Sequence, residues 1–202
     1  LPRVSFDAVQ ALVKGYLLPK KLHPAHEKLS PIHRDRLLRS EDQGRFLPGV
    51  SDVKDVMVLI CGHGGRDLRC GILGPLLQDE FERQLPGEGF QVLKEPVDVG
   101  DGRDRPLIKG SEKQDGTKGT ARVGLISHIG GHKFAGNMIL YIPPGTKTGD
   151  GKESPLAGYG IWYGRVEPKH VEGIVKETVI GGRVIEDLFR GGIKQGGEIL
   201  RL

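Results

Sequence analysis

Residues 56–85 read VMVLICGHGGRDLRCGILGPLLQDEFERQL, and their reading decides the fold. Val56–Ile60 is a continuous apolar run bounded by polar residues, the pattern of a strand buried on both faces. Beyond the glycine-rich stretch, Ile72, Leu73, Leu76, Leu77 and Phe81 recur at helical spacing and predict one apolar helix face. The segment is therefore a strand, a loop and a helix. Its loop holds both cysteines of the chain, Cys61 and Cys70.

Working outward, three more strand-like runs follow: RVGLIS at 122–127, NMILYI at 137–142 and GIWYG at 160–164, with Trp162 expected in the core. Pro168, suited to a first helical turn, then opens PKHVEGIVKETVI, with Val171, Ile174, Val175 and Val179 facing inward. Polar, glycine-rich insertions are expected at 95–120 and 143–158. The order predicts an α/β fold, a mixed sheet flanked by helices as in thioredoxin-like proteins, with long polar loop insertions. Residues 1–50 form a separate N-terminal segment, with Val9, Leu12, Val13 and Tyr16 at helical spacing and then a proline- and histidine-containing connector. It has no core of its own and is expected to pack on a main domain spanning 51–202.

Composition narrows the function classes. The chain has 202 residues, 37% hydrophobic and 28% charged, enough for a substantial core. No apolar run approaches the ~20 residues that cross a bilayer, so no membrane partner is expected, and the N-terminal LPRVSF lacks the basic and apolar regions of a signal peptide. The net charge of +4 comes from 30 basic and 26 acidic residues that are intermixed, without the basic stripe and interleaved aromatics of a nucleic-acid platform. Two cysteines do not make a secreted disulfide framework, which points to a reducing compartment or to thiols protected by metal.

A second glycine cluster, SHIGGHKFAGN at 127–137, spaces His128 and His132 as H-x3-H, with Gly130 and Gly131 between them. Adjacent glycines favour a tight loop over a helix. Two thiolates and two imidazoles thus stand near the ends of predicted strands, and adjacent parallel strands would bring those ends together. Several readings of these residues compete. Either cysteine can be a packing residue, although polar glycine loops beside Arg66 and Arg69 offer little apolar burial. A Cys61–Cys70 disulfide is a second reading. A Cys2His2 zinc site is a third, against which C-x8-C is wider than a usual zinc knuckle. Cys61 to Arg66 also has the C-x4-R form of a rhodanese-like sulfurtransferase loop, where backbone N–H groups would lower the thiol pKa and hold an anion. Cys61-Gly62-His63 imitates one box of a Rieske protein, but the matching C-x-x-H box is absent. His23, His26, His33 and His170 lie in polar surroundings without a partner cysteine. No C-x-x-C motif supports ordinary thioredoxin chemistry, and no nucleophile–base pocket is evident.

Taken together, CGHGGRDLRCG with GPLLQDEFE, and then HIGGHKFAGN, resemble the signature of the sucrase/ferredoxin-like family of fungal and plant proteins. ALVKGYLLPKKLHPAHEKLSPIHRDRLL at 11–38 further resembles its fungal branch named for altered inheritance of mitochondria. The resemblance runs from about Val9 to the C-terminal helix. It implies a thioredoxin-like ferredoxin domain binding a [2Fe–2S] cluster through Cys61, Cys70, His128 and His132. His63, Arg66, Arg69, Gly130 and Gly131 would surround the cluster, with the glycines letting backbone N–H groups approach the sulfides. Arg66 and Arg69 would stabilise the reduced cluster or dock a redox partner protein, the alternative being salt bridges to Asp67 or Glu80. Asn137 would organise the histidine loop. The resemblance also implies a longer N-terminal lobe in the whole protein, of which this chain would be a fragment, and a mitochondrial location, the alternative being cytosolic. Electron transfer is then the expected function rather than enzymatic turnover. The alternatives are a sulfurtransferase or thiol oxidoreductase using Cys61, and a zinc-stabilised binding module.

Overall fold

The computed structural model describes residues 4–47, 52–95 and 116–200. The chain divides into two compact units, the first ending at Asp52 and the second beginning at Val53.

The first unit is short helices and turns. Helix α1 (Val9–Leu12) runs on into a π-turn at Val13–Leu17, followed by α2 (Pro31–Leu37) and α3 (Glu41–Gly44). Ser30 caps α2, and Pro31 fits its first position. Of the helically spaced residues, Leu12, Val13 and Tyr16 are partly buried. Ala11 and Gly15 are buried, whereas Val9 is exposed. With Ala11 and Leu47 as its buried apolar residues, this unit is joined largely by polar contacts. Lys14 Nζ donates to the carbonyls of Asp35 and Leu38, and Arg39 donates to those of Tyr16 and Leu18.

The second unit is a seven-stranded mixed sheet flanked by helices, compatible with a thioredoxin-like fold. Its strands are β1 (Val56–Cys61), β2 (Phe90–Val92), β3 (Gly119–Ile126), β4 (Met138–Tyr141), β5 (Tyr159–Tyr163), β6 (Phe189–Lys194) and β7 (Ile199–Leu200). They lie in the order β2-β3-β1-β4-β5-β6-β7. β3 runs parallel to both β1 and β2, and every pairing from β4 outward is antiparallel. The β1–β3 register sets Cys61 opposite Ile126, so the chain leaves both strands at the same sheet end. At the opposite end Asp55 accepts from Thr120 and Arg122, tying the strand starts together.

Helix α4 (Leu68–Gly87) follows β1, and α5 (Pro168–Ile174) follows β5 and continues as a π-turn to Ile180. The two helices touch each other. Leu77, Phe81 and Leu85 from α4, and Val171, Ile174, Val175 and Val179 from the second helical segment, meet Val58, Ile60, Leu140, Ile161 and Tyr163 of the sheet in one core. Each such side chain contributes about 1.5–3 kcal/mol by leaving water.

The buried stripe of α4 differs from the expected one. It runs Cys70, Gly74, Leu77, Phe81 and Leu85, while Ile72 and Leu76 are about half exposed. The helix begins at Leu68, four residues before the expected apolar face, because Asp67 caps it by accepting from the Arg69 N–H at 2.9 Å. Close contact of Gly71 and Gly74 with the Gly62–Gly64 backbone sets which face of the helix turns inward. Trp162 is likewise not a core residue: alternation along β5 buries Tyr159, Ile161 and Tyr163 and leaves Trp162 half-buried on the other face. Most of the expected 95–120 insertion lies outside the described residues.

Candidate metal centre

Cys61 is the last residue of β1 and Cys70 lies in the first turn of α4, both fully buried and not disulfide-bonded. Cys70 is therefore a helix residue rather than a loop residue, and the expectation that its surroundings would offer no apolar burial fails. His128 follows β3 and is half-buried. Its Nδ1 is 3.7 Å from Cys61 Sγ. The three potential donor atoms of Cys61, Cys70 and His128 all lie within 4.8 Å of one another. Residues 67 positions apart in sequence meet because β1 and β3 are parallel neighbours.

Close backbone approach brings Cys70 to Cys61. A Cβ on Gly71 would stand 2.7 Å from the Gly64 Cα, and one on Gly74 would stand 2.9 Å from the Gly62 Cα and 3.0 Å from the Cys61 carbonyl oxygen. Only glycine at 71 and 74, three residues apart on one helix face, lets α4 lie directly on the Cys61–Gly64 loop. Pro75 also lacks the N–H that would bond back to Gly71.

The histidine loop is tied to β4. The Cys61 N–H donates to the Asn137 carbonyl at 3.0 Å. Gly130 has φ of +72°, and a Cβ there would fall 2.7 Å from Asn137 Oδ1. The Asn137 side chain is thus packed against the bend between the two histidines. It is fully buried, and neither its Nδ2 nor its Oδ1 has a hydrogen-bond partner among the described residues. His132 starts a short 3-10 turn, His132–Phe134, and its side chain lies outside the described residues.

The electrostatics favour neutral thiol at Cys70. Burial, then the hydrogen bond with Cys61, pushes its pKa up to about 11, and Asp67 adds to the effect. The helix N-terminus therefore does not make Cys70 a reactive thiolate. A metal bound there would displace its proton, since the thiolate is the ligand form.

Of the surrounding residues, His63 is exposed, and its carbonyl accepts from the N–H groups of Arg66 and Asp67 to close the loop. Arg69 pairs with Asp67 at 2.9 Å, whereas Glu80 pairs with Arg83. Arg66 is exposed. Gly131 lies beside the Phe134 ring. The remaining histidines have local roles: His23 accepts from the Ala25 N–H, His33 bonds Ser30, and His170 accepts from the Glu167 N–H in a capping box. Sequence reading missed Gly71 and Gly74 as the contact between helix and loop, although glycines three apart in a helix are a legible signal of close approach.

The donor set suits an iron–sulfur group. Two soft thiols and an imidazole converge, the buried Asn137 amide adjoins the histidine loop, and the glycines let the start of α4 lie against the Cys61–Gly64 backbone.

A sequence profile described as Sucrase/ferredoxin-like matches residues 1–191. Among curated relatives, Altered inheritance of mitochondria protein 32 of Clavispora lusitaniae is 42% identical over 135 residues, covering 67% of this chain and 34% of the relative. The protein of the same name from Debaryomyces hansenii is 39% identical over 140 residues, 69% of this chain and 37% of the relative. One from Saccharomyces cerevisiae is 28% identical over 193 residues, 95% of this chain and 44% of the relative. The chain thus spans less than half the length of these relatives. No solved structure gives a significant match.

Proposed function

The chain belongs to the sucrase/ferredoxin-like family, and from that membership and the converging Cys61, Cys70 and His128 we propose that it is an electron-transfer protein holding a [2Fe–2S] cluster through these three residues and His132. The observation that carries the reading is the set of three donor atoms within 4.8 Å, supplied by a strand end, a helix start and a loop far apart in sequence. When bound, such a group takes up and releases one electron.

The chain's own residues set the conditions for that chemistry. Two thiolates with two neutral imidazoles leave an oxidised cluster uncharged, where four thiolates would make it dianionic. Less negative charge favours the reduced form, so the potential lies above the roughly −400 mV of plant-type ferredoxins. The Asn137 amide N–H, buried without an acceptor among the described residues, could donate to a cluster sulfur. Each imidazole has a second ring nitrogen, whose proton would couple the potential to pH. The relatives' shared name supports a mitochondrial place of action.

Substitution of each of Cys61, Cys70, His128 and His132 by alanine, with iron determined per chain, tests the reading. Loss of iron from all four variants is expected. Iron-independent thiol chemistry that needs Cys61 alone and tolerates both histidine variants would overturn it in favour of a sulfurtransferase or thiol oxidoreductase. Zinc in place of iron would overturn it in favour of a structural zinc site.

A further inference from the structure

Beside the loop that carries His132, three cations from separate segments gather on one aromatic ring. Phe134, half-buried and two residues beyond His132, lies beside Gly131. Three cations converge on its ring: Arg190 stacks with Cζ 3.3 Å from the centroid, Arg165 lies at 5.5 Å and Lys133 Nζ at 5.8 Å. The arrangement is held by backbone. Arg165 N–H donates to the Phe134 carbonyl and Val166 N–H to that of Gly136. Arg165 itself has φ of +59°, the only left-handed non-glycine residue among those described. A Cβ on Gly164 would stand 3.2 Å from Arg190 Cγ, so glycine there leaves room for the stacked guanidinium.

None of the three cations is neutralised by a carboxylate among the described residues, whereas Arg69, Arg83, Arg122 and Arg183 all are. Arg190 Nη1 is buried without an acceptor among the described residues. Its guanidinium stacks on the aromatic ring rather than on a carboxylate of the described residues. Arg165 and Lys133 are exposed.

We propose that this cationic rim around Phe134, built from Lys133, Arg165 and Arg190, is the docking surface for a small redox protein that presents an acidic face. The inference rests on the electron-transfer reading, because the rim matters to redox exchange only if the adjoining histidine loop holds the cluster. An aromatic centre ringed by arginine is the composition of a protein–protein contact. A polyanion track needs a row of cations along a groove, whereas these three point at one ring. Unpaired surface charge of this kind speeds encounter and selects partners by charge.

The test measures binding, on the purified chain with its iron content determined in the same preparation. The probes are an acidic plant-type ferredoxin and the basic haem protein cytochrome c, titrated at low and physiological ionic strength, with Trp162 fluorescence or isothermal calorimetry as readout. Expected is binding to the acidic probe that weakens with salt, no binding to cytochrome c, and at least about tenfold weaker binding for Lys133→Glu with Arg165→Glu. Lys133→Glu alone, at an exposed position, gives a smaller loss and guards against misfolding of the double variant. Lys54→Glu with Lys118→Glu, exposed residues preceding β1 and β3 at the other sheet end, makes the same charge change and leaves binding intact. The proposal is overturned if both double variants lose affinity equally, if neither does, or if anionic phosphatidylserine vesicles bind the rim and the acidic protein does not. Rim-dependent binding by an iron-free preparation would uphold the surface while removing the cluster. Rim-independent binding by an iron-loaded one would do the reverse.

Discussion

Replacing Gly71 by alanine tests whether close backbone contact builds the candidate site. In an ordinary helix interior this change stabilises by about 0.8–1 kcal/mol. Here the new Cβ would stand 2.7 Å from the Gly64 Cα. Carbon atoms settle at about 3.5–4.0 Å, so α4 and the Cys61–Gly64 loop must part by roughly 1 Å. Overpacking of this kind costs about 1–3 kcal/mol, giving a net loss near 1 kcal/mol. Gly173 in α5 is the internal control, since a Cβ there meets nothing within 4 Å, and Gly173→Ala should gain up to about 1 kcal/mol. Urea unfolding then separates the two variants by about 2 kcal/mol. The displacement also exceeds the ~0.2 Å tolerance of metal–ligand distances. Cobalt(II) titration, read by thiolate-to-metal absorption, should therefore weaken in Gly71→Ala and not in Gly173→Ala. Equal stability of the two variants with unchanged cobalt affinity would refute the argument that Gly71 sets the Cys61–Cys70 approach.

Burial raises the Cys70 pKa from about 9 to about 11, so the folded metal-free chain holds this proton where the unfolded chain has lost it. Its stability should fall as pH rises from about 9 to 11, and Cys70 should resist iodoacetamide at pH 8 until the chain is unfolded; rapid native-state alkylation of Cys70 would contradict this. Tyr163→Phe should cost about 1–3 kcal/mol in urea unfolding, because the buried hydroxyl bonds Thr178 Oγ1 at 2.7 Å and accepts from the Ile185 N–H at 3.1 Å; an unchanged midpoint would contradict it. Asn137→Leu should leave the metal-free chain as stable or more so, since both amide atoms are buried without partners, while reducing iron retention; a loss of stability with normal iron loading would instead make Asn137 purely structural.

The residues show why sequence carried some of this fold and not the rest. The run Val56–Ile60 is legible because a central strand buried on both faces needs continuous apolar residues, and Val171, Ile174, Val175 and Val179 because a helix facing one core repeats near 3.6. The last strands carry no such pattern: β6 is FRGGIK and β7, at the sheet edge, is two residues long, and neither has a fully buried residue. The start of α4 was misplaced because Asp67 capping, not hydrophobicity, fixes it, and that four-residue difference moved Cys70 from an open loop into a buried first turn. The pairing of the cysteines with His128 was visible as motifs, but their convergence depends on the parallel β1–β3 register, a long-range property no local spacing encodes. The cation cluster on Phe134 joins residues from three separate segments and has no sequence signature at all.

The central claim is tested most directly on protein purified without oxygen, by measuring iron and acid-labile sulfide per chain and recording an electron paramagnetic resonance spectrum after reduction. The account predicts about two irons and two sulfides per chain, with a spin-half signal whose g-values indicate nitrogen ligation. A colourless protein that holds zinc or no metal, and gives no signal on reduction, would contradict it.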